Sequence, residues 1–186
     1  MTGPTPFCVR STRRWPPSST LSPVELRPAT LADTTAILAI YNREVLESST
    51  TLDLVPRTMV EQEAYITSRS GGLAILVAEA IEHSAIAGFG SLSFYRDRPG
   101  YRTSVENSVY VHRDHHRSGV GNLLLSGLIE QAREHGFHAL FARIVDAQEP
   151  SMKLHERHGY RIVGIEQEVG RKFGQWRNVA ILQLLL

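Results

Sequence analysis

The chain has 186 residues, 42% of them apolar and 21% charged, with a formal net charge of +1 and one cysteine. That length supports one domain with a full core, and the near-neutral balance gives no electrostatic reason to expect a nucleic-acid partner. No apolar run approaches a membrane span, and a lone Cys8 excludes an intrachain disulfide or a cysteine-built metal site, which fits a reducing cytoplasm.

Residues 1–23 carry Arg10, Arg13, Arg14 and five prolines, with no acidic residue and no apolar periodicity. Such a segment cannot bury enough surface to offset its ordering entropy, so a disordered extension is expected there and a folded domain over 24–186. The Arg13-Arg14 pair lacks the apolar stretch that a twin-arginine signal needs. Val24 to Arg27 reads as a first strand. Thr30 and Asp33 stand in capping-box spacing ahead of an apolar face of Ile37, Leu38, Ile40 and Tyr41. Ser48 to Leu54 is a loop or short strand. Thr58 and Glu61 repeat the capping-box spacing at the start of a second helix, which Gly71-Gly72 closes. Leu73 to Glu79 and Ala85 to Tyr95 read as strands joined by a polar turn at Glu82-His83-Ser84. A basic loop, Arg96 to Arg102, leads into a strand over Thr103 to Val111. The main helix then runs to about His135 and stops at Gly136. Ala139 to Val145 is a further strand, and Pro150 to His158 a short helix ended by Gly159. Tyr160 to Ile165 and Val179 to Leu186 are the last strands, joined by a basic turn around Gly170 to Gly174. The order mixes hairpins with helix crossovers and predicts one α+β domain around a single mixed sheet.

The stretch after Val111 carries the chemistry. Gly119 and Gly121 open a helix whose apolar positions, Val120, Leu123, Leu124 and Leu128, share a face. A glycine loop at a helix start leaves backbone N–H groups outward and adds the positive end of the helix dipole. Backbone groups from Arg117 to Asn122 therefore suit a pyrophosphate, and side chains at 119 or 121 would hold the phosphates off. A dinucleotide fold would need a third glycine, where Leu124 stands, and a loop after the first strand of a βαβ unit; this loop follows four strands. His112, His115 and His116 lack metal-ligand spacing, so no metal is expected.

Two segments narrow the reading. Glu106-Asn-Ser-Val-Tyr-Val111 with His116-Arg-Ser-Gly-Val-Gly121, and Pro150-Ser-Met-Lys-Leu-His-Glu-Arg-His-Gly-Tyr160 with Gly170-Arg-Lys-Phe-Gly-Gln-Trp176, resemble the GNAT family of acyl-CoA N-acyltransferases, in particular its phosphinothricin N-acetyltransferase group. The resemblance runs from Val24 to the C-terminus and implies the GNAT fold: a mixed, mostly antiparallel central sheet flanked by helices. Two positions depart from the family pattern: His116 stands for the usual Gln or Arg, and Gln148 for the usual Asn. Both can still donate a hydrogen bond.

What the resemblance implies for the site can be stated residue by residue. Acetyl-CoA would lie on the loop Arg117, Ser118, Gly119, Val120, Gly121 and Asn122, with His116, Gln148 and Ser151 at its edges. Its thioester arm would follow Val109, Tyr110 and Val111, with the Val109 N–H donating to the thioester oxygen. Tyr110 points away from Val109 and Val111, either lining the acceptor pocket or packing. Glu106 is implied as the base that deprotonates the amine. His155, on one helix face with Ser151, is implied as the proton donor to the leaving thiolate or as a relay. Arg96, Arg98 and Tyr101 would hold an acceptor's carboxylate or phosphinate; Arg171 and Lys172 form a second candidate clamp, with Thr50 and Thr51 at the pocket edge. The expected activity is direct acetyl transfer from acetyl-CoA, within a ternary complex, to the α-amine of a small amino acid or analogue of the phosphinothricin or methionine sulfoximine type, by a cytoplasmic homodimer. A non-catalytic acyl-CoA sensor, or an acetyltransferase for a peptide N-terminus or a polyamine, is the alternative.

Overall fold

The computed structural model describes residues 24–186, and the expected extension lies outside them. The described residues form a seven-stranded sheet in the order β1-β2-β3-β4-β5-β7-β6. Its strands are β1 (Val24–Pro28), β2 (Leu76–Ala80), β3 (Ala85–Phe94), β4 (Ser104–Val111), β5 (Ala139–Val145), β6 (Arg161–Lys172) and β7 (Gln175–Leu185). All neighbours are antiparallel except β4 and β5. Helices α1 (Thr34–Glu47) and α2 (Met59–Thr67) lie in the first half of the chain, α3 (Val120–Glu134) and α4 (Glu149–Arg157) in the second. The architecture is the mixed, mostly antiparallel sheet with flanking helices that the sequence predicts.

Local rules account for the helix starts. Glu61 accepts from the Thr58 backbone N–H at 2.7 Å while the Thr58 hydroxyl accepts from the Glu61 N–H, closing the expected capping box. At Thr30 the chain makes a 3-10 turn over Leu31–Asp33 before α1 begins, so the helix starts later than its capping signal suggests. Asp33 is taken up there by a fork from Arg27, with both bonds at 2.8 Å.

Two apolar layers flank the sheet. One, on the α1 side, joins Ile37, Ile40, Tyr41, Val45, Ile66, Val77 and Phe89. The other joins α3 to the opposite face, with Val120, Leu124, Leu125, Leu128, Ile129 and Ala132 buried. The buried seam therefore includes Leu125 and Ile129 and leaves Leu123 only partly covered. Glycine lets α3 come this close to the sheet. A Cβ at Gly90 would lie 2.8 Å from a Leu128 methyl, and one at Gly88 would lie 2.7 Å from the Tyr110 carbonyl. The first turns of α3 are thus set directly over β3 and β4.

The last hairpin is longer than predicted. Pairing of β6 with β7 continues to Lys172 and Gln175, through register shifts after Ile162 and Glu166. The reversal itself is only Phe173 and Gly174, both at positive φ, as a two-residue hairpin turn requires. Apart from Lys172 and Gly170, the outer half of β6 is exposed, so its sequence shows no alternation to read.

Candidate active site

The parallel register of β4 with β5 holds for three residues only, Ser104 to Glu106 against Ala139 to Phe141. Beyond it the two strands part. On its other side β4 stays zipped to β3 from Val105 through Val111. The parting opens a cavity of about 270 Å³, lined by Glu106 through Tyr110, by Ala142 through Val145, and by Thr50, Thr51, Leu52, Gln148, Ser151, His155 and Val179. Strand geometry sends alternate β4 side chains to opposite layers: Val105, Val109 and Val111 pack with α3, while Tyr110 packs with α1.

The glycine loop follows the end of β4, with Gly121 beside Val111. Gly119 adopts φ +85° with nothing within 4 Å of where a Cβ would sit, and Arg117 adopts φ +60°. Backbone N–H groups of Arg117, Gly119, Val120, Gly121 and Asn122 have no acceptor among the described residues. A left-handed entry into a helix, an open front and free donors are the features that suit linked phosphates. At Gly121 a Cβ would face inward, 3.4 Å from Leu154 and 3.6 Å from Val111, at ordinary contact distances and not toward the open front, so the expected reason for glycine applies at Gly119 and not at Gly121. The loop is fastened at its flanks. His116 bonds the Val111 carbonyl, His158 bonds the Asn122 side chain at 2.9 Å, and Arg113 reaches Glu44 and Glu47 of α1. Among the described residues no group of three or more His, Cys, Asp or Glu is arranged to hold a metal ion.

Gln148 and Ser151 reach the cavity because of the turn before α4, where Asp146 and Ala147 both take positive φ. Asp146 holds that turn by accepting from Arg177 at 2.8 Å and from the Asn178 N–H at 3.2 Å. Gln148 also lies 3.4 Å from the Ser49 hydroxyl, linking α4 to the loop that carries Thr50 and Thr51.

Two polar groupings stand on the two sides of β4. Glu106 is half-buried and, among the described residues, takes part in no side-chain hydrogen bond or ion pair. Burial raises its pKa above the ordinary carboxylate range; the charge of Arg143 opposes that rise and Glu166 adds to it. On the other side, Tyr160 donates to Asn107 Oδ1 at 2.8 Å, and Asn107 Nδ2 lies 2.9 Å from His155 Nε2. His155 Nδ1–H donates to the Ser151 carbonyl at 2.8 Å, which leaves Nε2 as the acceptor from Asn107. The ring is only 4% exposed, and burial lowers its pKa, so it sits neutral with both nitrogens engaged. Sequence reasoning missed Asn107 and Tyr160; a polar residue at an inward parity of β4 was the available signal for the first.

The remaining predicted residues divide. Thr50, Thr51 and Tyr110 line the cavity with Glu106. Tyr110 does both things the sequence left open: it lines the cavity and also stacks on Phe89, with Tyr41 edge-on at 5.2 Å. Arg96, Arg98 and Tyr101 line a separate open concavity with Asp97. Arg171 stands outside the cavity, with its guanidinium 5.6 Å from the Trp176 ring centroid. Lys172 does not offer an open clamp. It is 2% exposed and donates to the Thr51 carbonyl at 2.7 Å, bracing the hairpin against the pocket loop.

The family model described as the Acetyltransferase (GNAT) domain matches residues 26–180. An L-methionine sulfoximine/L-methionine sulfone acetyltransferase of Pseudomonas aeruginosa is 37% identical over 162 residues, 87% of this chain and 94% of that protein. A phosphinothricin N-acetyltransferase of Streptomyces coelicolor is 36% identical over 159 residues, 84% of this chain and 93% of its own length. Among solved structures, a GNAT superfamily phosphinothricin acetyltransferase from Sinorhizobium meliloti in complex with AcCoA matches with a TM-score of 0.84 at 31% identity, covering 88% of each chain.

Proposed function

The chain belongs to the GNAT acetyltransferase family and is an acetyl-CoA-dependent N-acetyltransferase; we propose that its acceptor is the α-amine of a small amino acid or amino-acid analogue of the methionine sulfoximine or phosphinothricin type. The observation that carries this reading is the parting of β4 from β5 beside a free-donor glycine loop, with an unpaired carboxylate inside the gap. Relatives named for both analogues align over most of their length.

In this proposal the N–H groups of Arg117 and of Gly119 through Asn122 bind the pyrophosphate, with His116, Ser118, Gln148 and Ser151 at the edges of the site. Acetyl-CoA supplies the activated acetyl group. The unpaired edge of β4 at Val109 to Val111 offers backbone donors to the arm, and the Val109 N–H polarises the carbonyl oxygen. Glu106, more basic than a solvated glutamate, takes a proton from the acceptor ammonium. His155 holds Asn107 and the cavity wall in place; a proton passing through it would need its Nε2 released from Asn107. Thr50, Thr51 and Tyr110 shape the acceptor side, and Arg96, Arg98 and Tyr101 attract anionic acceptors from the neighbouring concavity. Transfer is direct, within a ternary complex.

The same proposal includes a cytoplasmic homodimer. Support for a second copy comes from the sheet edge: Ile162, Val163, Ile165 and Val169 on β6, with Phe173 and Trp176 beyond, are more than half exposed. The lone cysteine supports a reducing compartment. No described helix is long and apolar enough to cross a membrane.

A thiol-release assay with a panel of L-methionine sulfoximine, L-methionine sulfone, phosphinothricin, common amino acids, spermidine and a short peptide tests the acceptor class. Saturable release with amino-acid acceptors is expected; release with spermidine or the peptide alone overturns it.

A further inference from the structure

Within the Glu106 cavity, Arg143 is the one lysine or arginine among the lining residues. The arginines first expected to bind an acceptor's anionic group, Arg96 and Arg98, line the other concavity. Arg143 belongs to β5, two residues beyond Phe141, which is the register partner of Glu106. Paired residues of adjacent strands share a sheet face, and so do residues i and i+2. Glu106 and Arg143 therefore point to the same side, separated along β5 by about 7 Å of strand rise, where the two strands are already diverging. Their charges interact: the guanidinium opposes the burial-driven rise of the Glu106 pKa.

Glu166 of β6 holds this arginine from the other end. Its carboxylate takes one bond from each terminal nitrogen of Arg143, one at 3.3 Å and the other shorter. A guanidinium has five N–H donors, and this fork uses one on each terminal nitrogen, so among the described residues Nε–H and one N–H on each terminal nitrogen have no acceptor. Arginine can bind one carboxylate end-on and present its side edge to another, and a fork fixed at one end loses little further freedom on binding at the other.

We propose that Arg143, held by Glu166, is the carboxylate receptor for the acceptor and so determines specificity for α-amino acids over simple amines. Glu106 then faces the amine and Arg143 the carboxylate, a spacing that a compact amino acid bridges with a hydrogen bond at each end. This assignment rests on the amino-acid reading given above.

The test compares L-methionine sulfone with its α-carboxamide, which keeps the amine and loses the carboxylate. In the wild-type protein the acid is the preferred acceptor. Arg143→Gln raises KM for the acid at least tenfold while moving KM for the carboxamide and for acetyl-CoA less than about twofold. Arg143→Lys recovers part of the preference, because charge returns without the fork. Glu166→Gln, which leaves the arginine in place but loosens its restraint, gives a smaller rise for the acid alone. Thermal melts of each variant with acetyl-CoA bound verify folding. If Arg143→Gln changes both acceptors alike, or neither, while the wild type turns over the acid, the assignment fails and the amino-acid reading stands. If the wild type acetylates spermidine or a peptide and neither form of methionine sulfone, both fall.

Discussion

Glu106 and Asn107 are neighbours on one strand, yet their side chains live under opposite rules. Asn107 lies in a closed circuit: Tyr160 donates to it, it donates to His155, and His155 donates to the Ser151 carbonyl. Glu106 looks into the gap between β4 and β5 and is bonded to no side chain among the described residues. A buried polar group whose hydrogen bonds are all made stabilises one geometry, while one with capacity left over is available for chemistry. In the proposed reaction, positioning falls to one side of β4 and proton transfer to the other.

The largest effect should come from breaking the open side. Glu106→Gln is expected to lower kcat roughly 10²–10⁴-fold with no loss of melting temperature, since burial costs the wild-type carboxylate more than the charge of Arg143 returns. In the wild type, activity should fall as pH drops through a pKa above the ordinary carboxylate range, and the variant should lose that limb. Steady-state kinetics across pH would measure both. A collapsed melting temperature with full residual kcat would reverse the contrast.

Breaking the closed side should show in stability first. Asn107→Ala leaves the His155 nitrogen and the Tyr160 hydroxyl without partners, at a cost of about 2–4 kcal/mol, readable by denaturant unfolding. The circuit also carries an acid sensitivity. His155 has a lowered pKa when folded, so between its folded and unfolded values the unfolded chain binds more protons. Its contribution is present above the ordinary histidine value of about 6.5 and is lost as pH falls below that. A melting-temperature profile from pH 7.5 to 5 should decline, and Asn107→Ala should change its steepness. The smallest effect belongs to Tyr160→Phe: it removes one donor to Asn107 and should cost about 1 kcal/mol with kcat nearly unchanged.

Much of this was legible before any fold was seen. The capping box at Thr58, the glycine entry to α3 and the stop at Gly136 are local devices, and the fold contains each of them. Less legible were features that depend on distant partners. Lys172 reads as a charged loop residue because no sequence signal says that the Thr51 carbonyl waits beside it. Arg143 sits in a strand with ordinary alternation, and its partner Glu166 lies on β6, a strand that reaches β5 only through β7. Arg96 and Glu106 are ten residues apart in sequence but border different concavities, because the chain turns at Pro99–Tyr101 between them.

The amino-acid order alone determined the element types, the family and the glycine loop proposed to hold the phosphates, since each rests on contacts or conformations within a few residues. Only the folded sheet decided where β4 lets go of β5, which arginine faces Glu106, and that Asn107, His155 and Tyr160 complete one another. Those outcomes join residues dozens of positions apart, and their energies exist only once long-range pairing has excluded water and fixed the geometry.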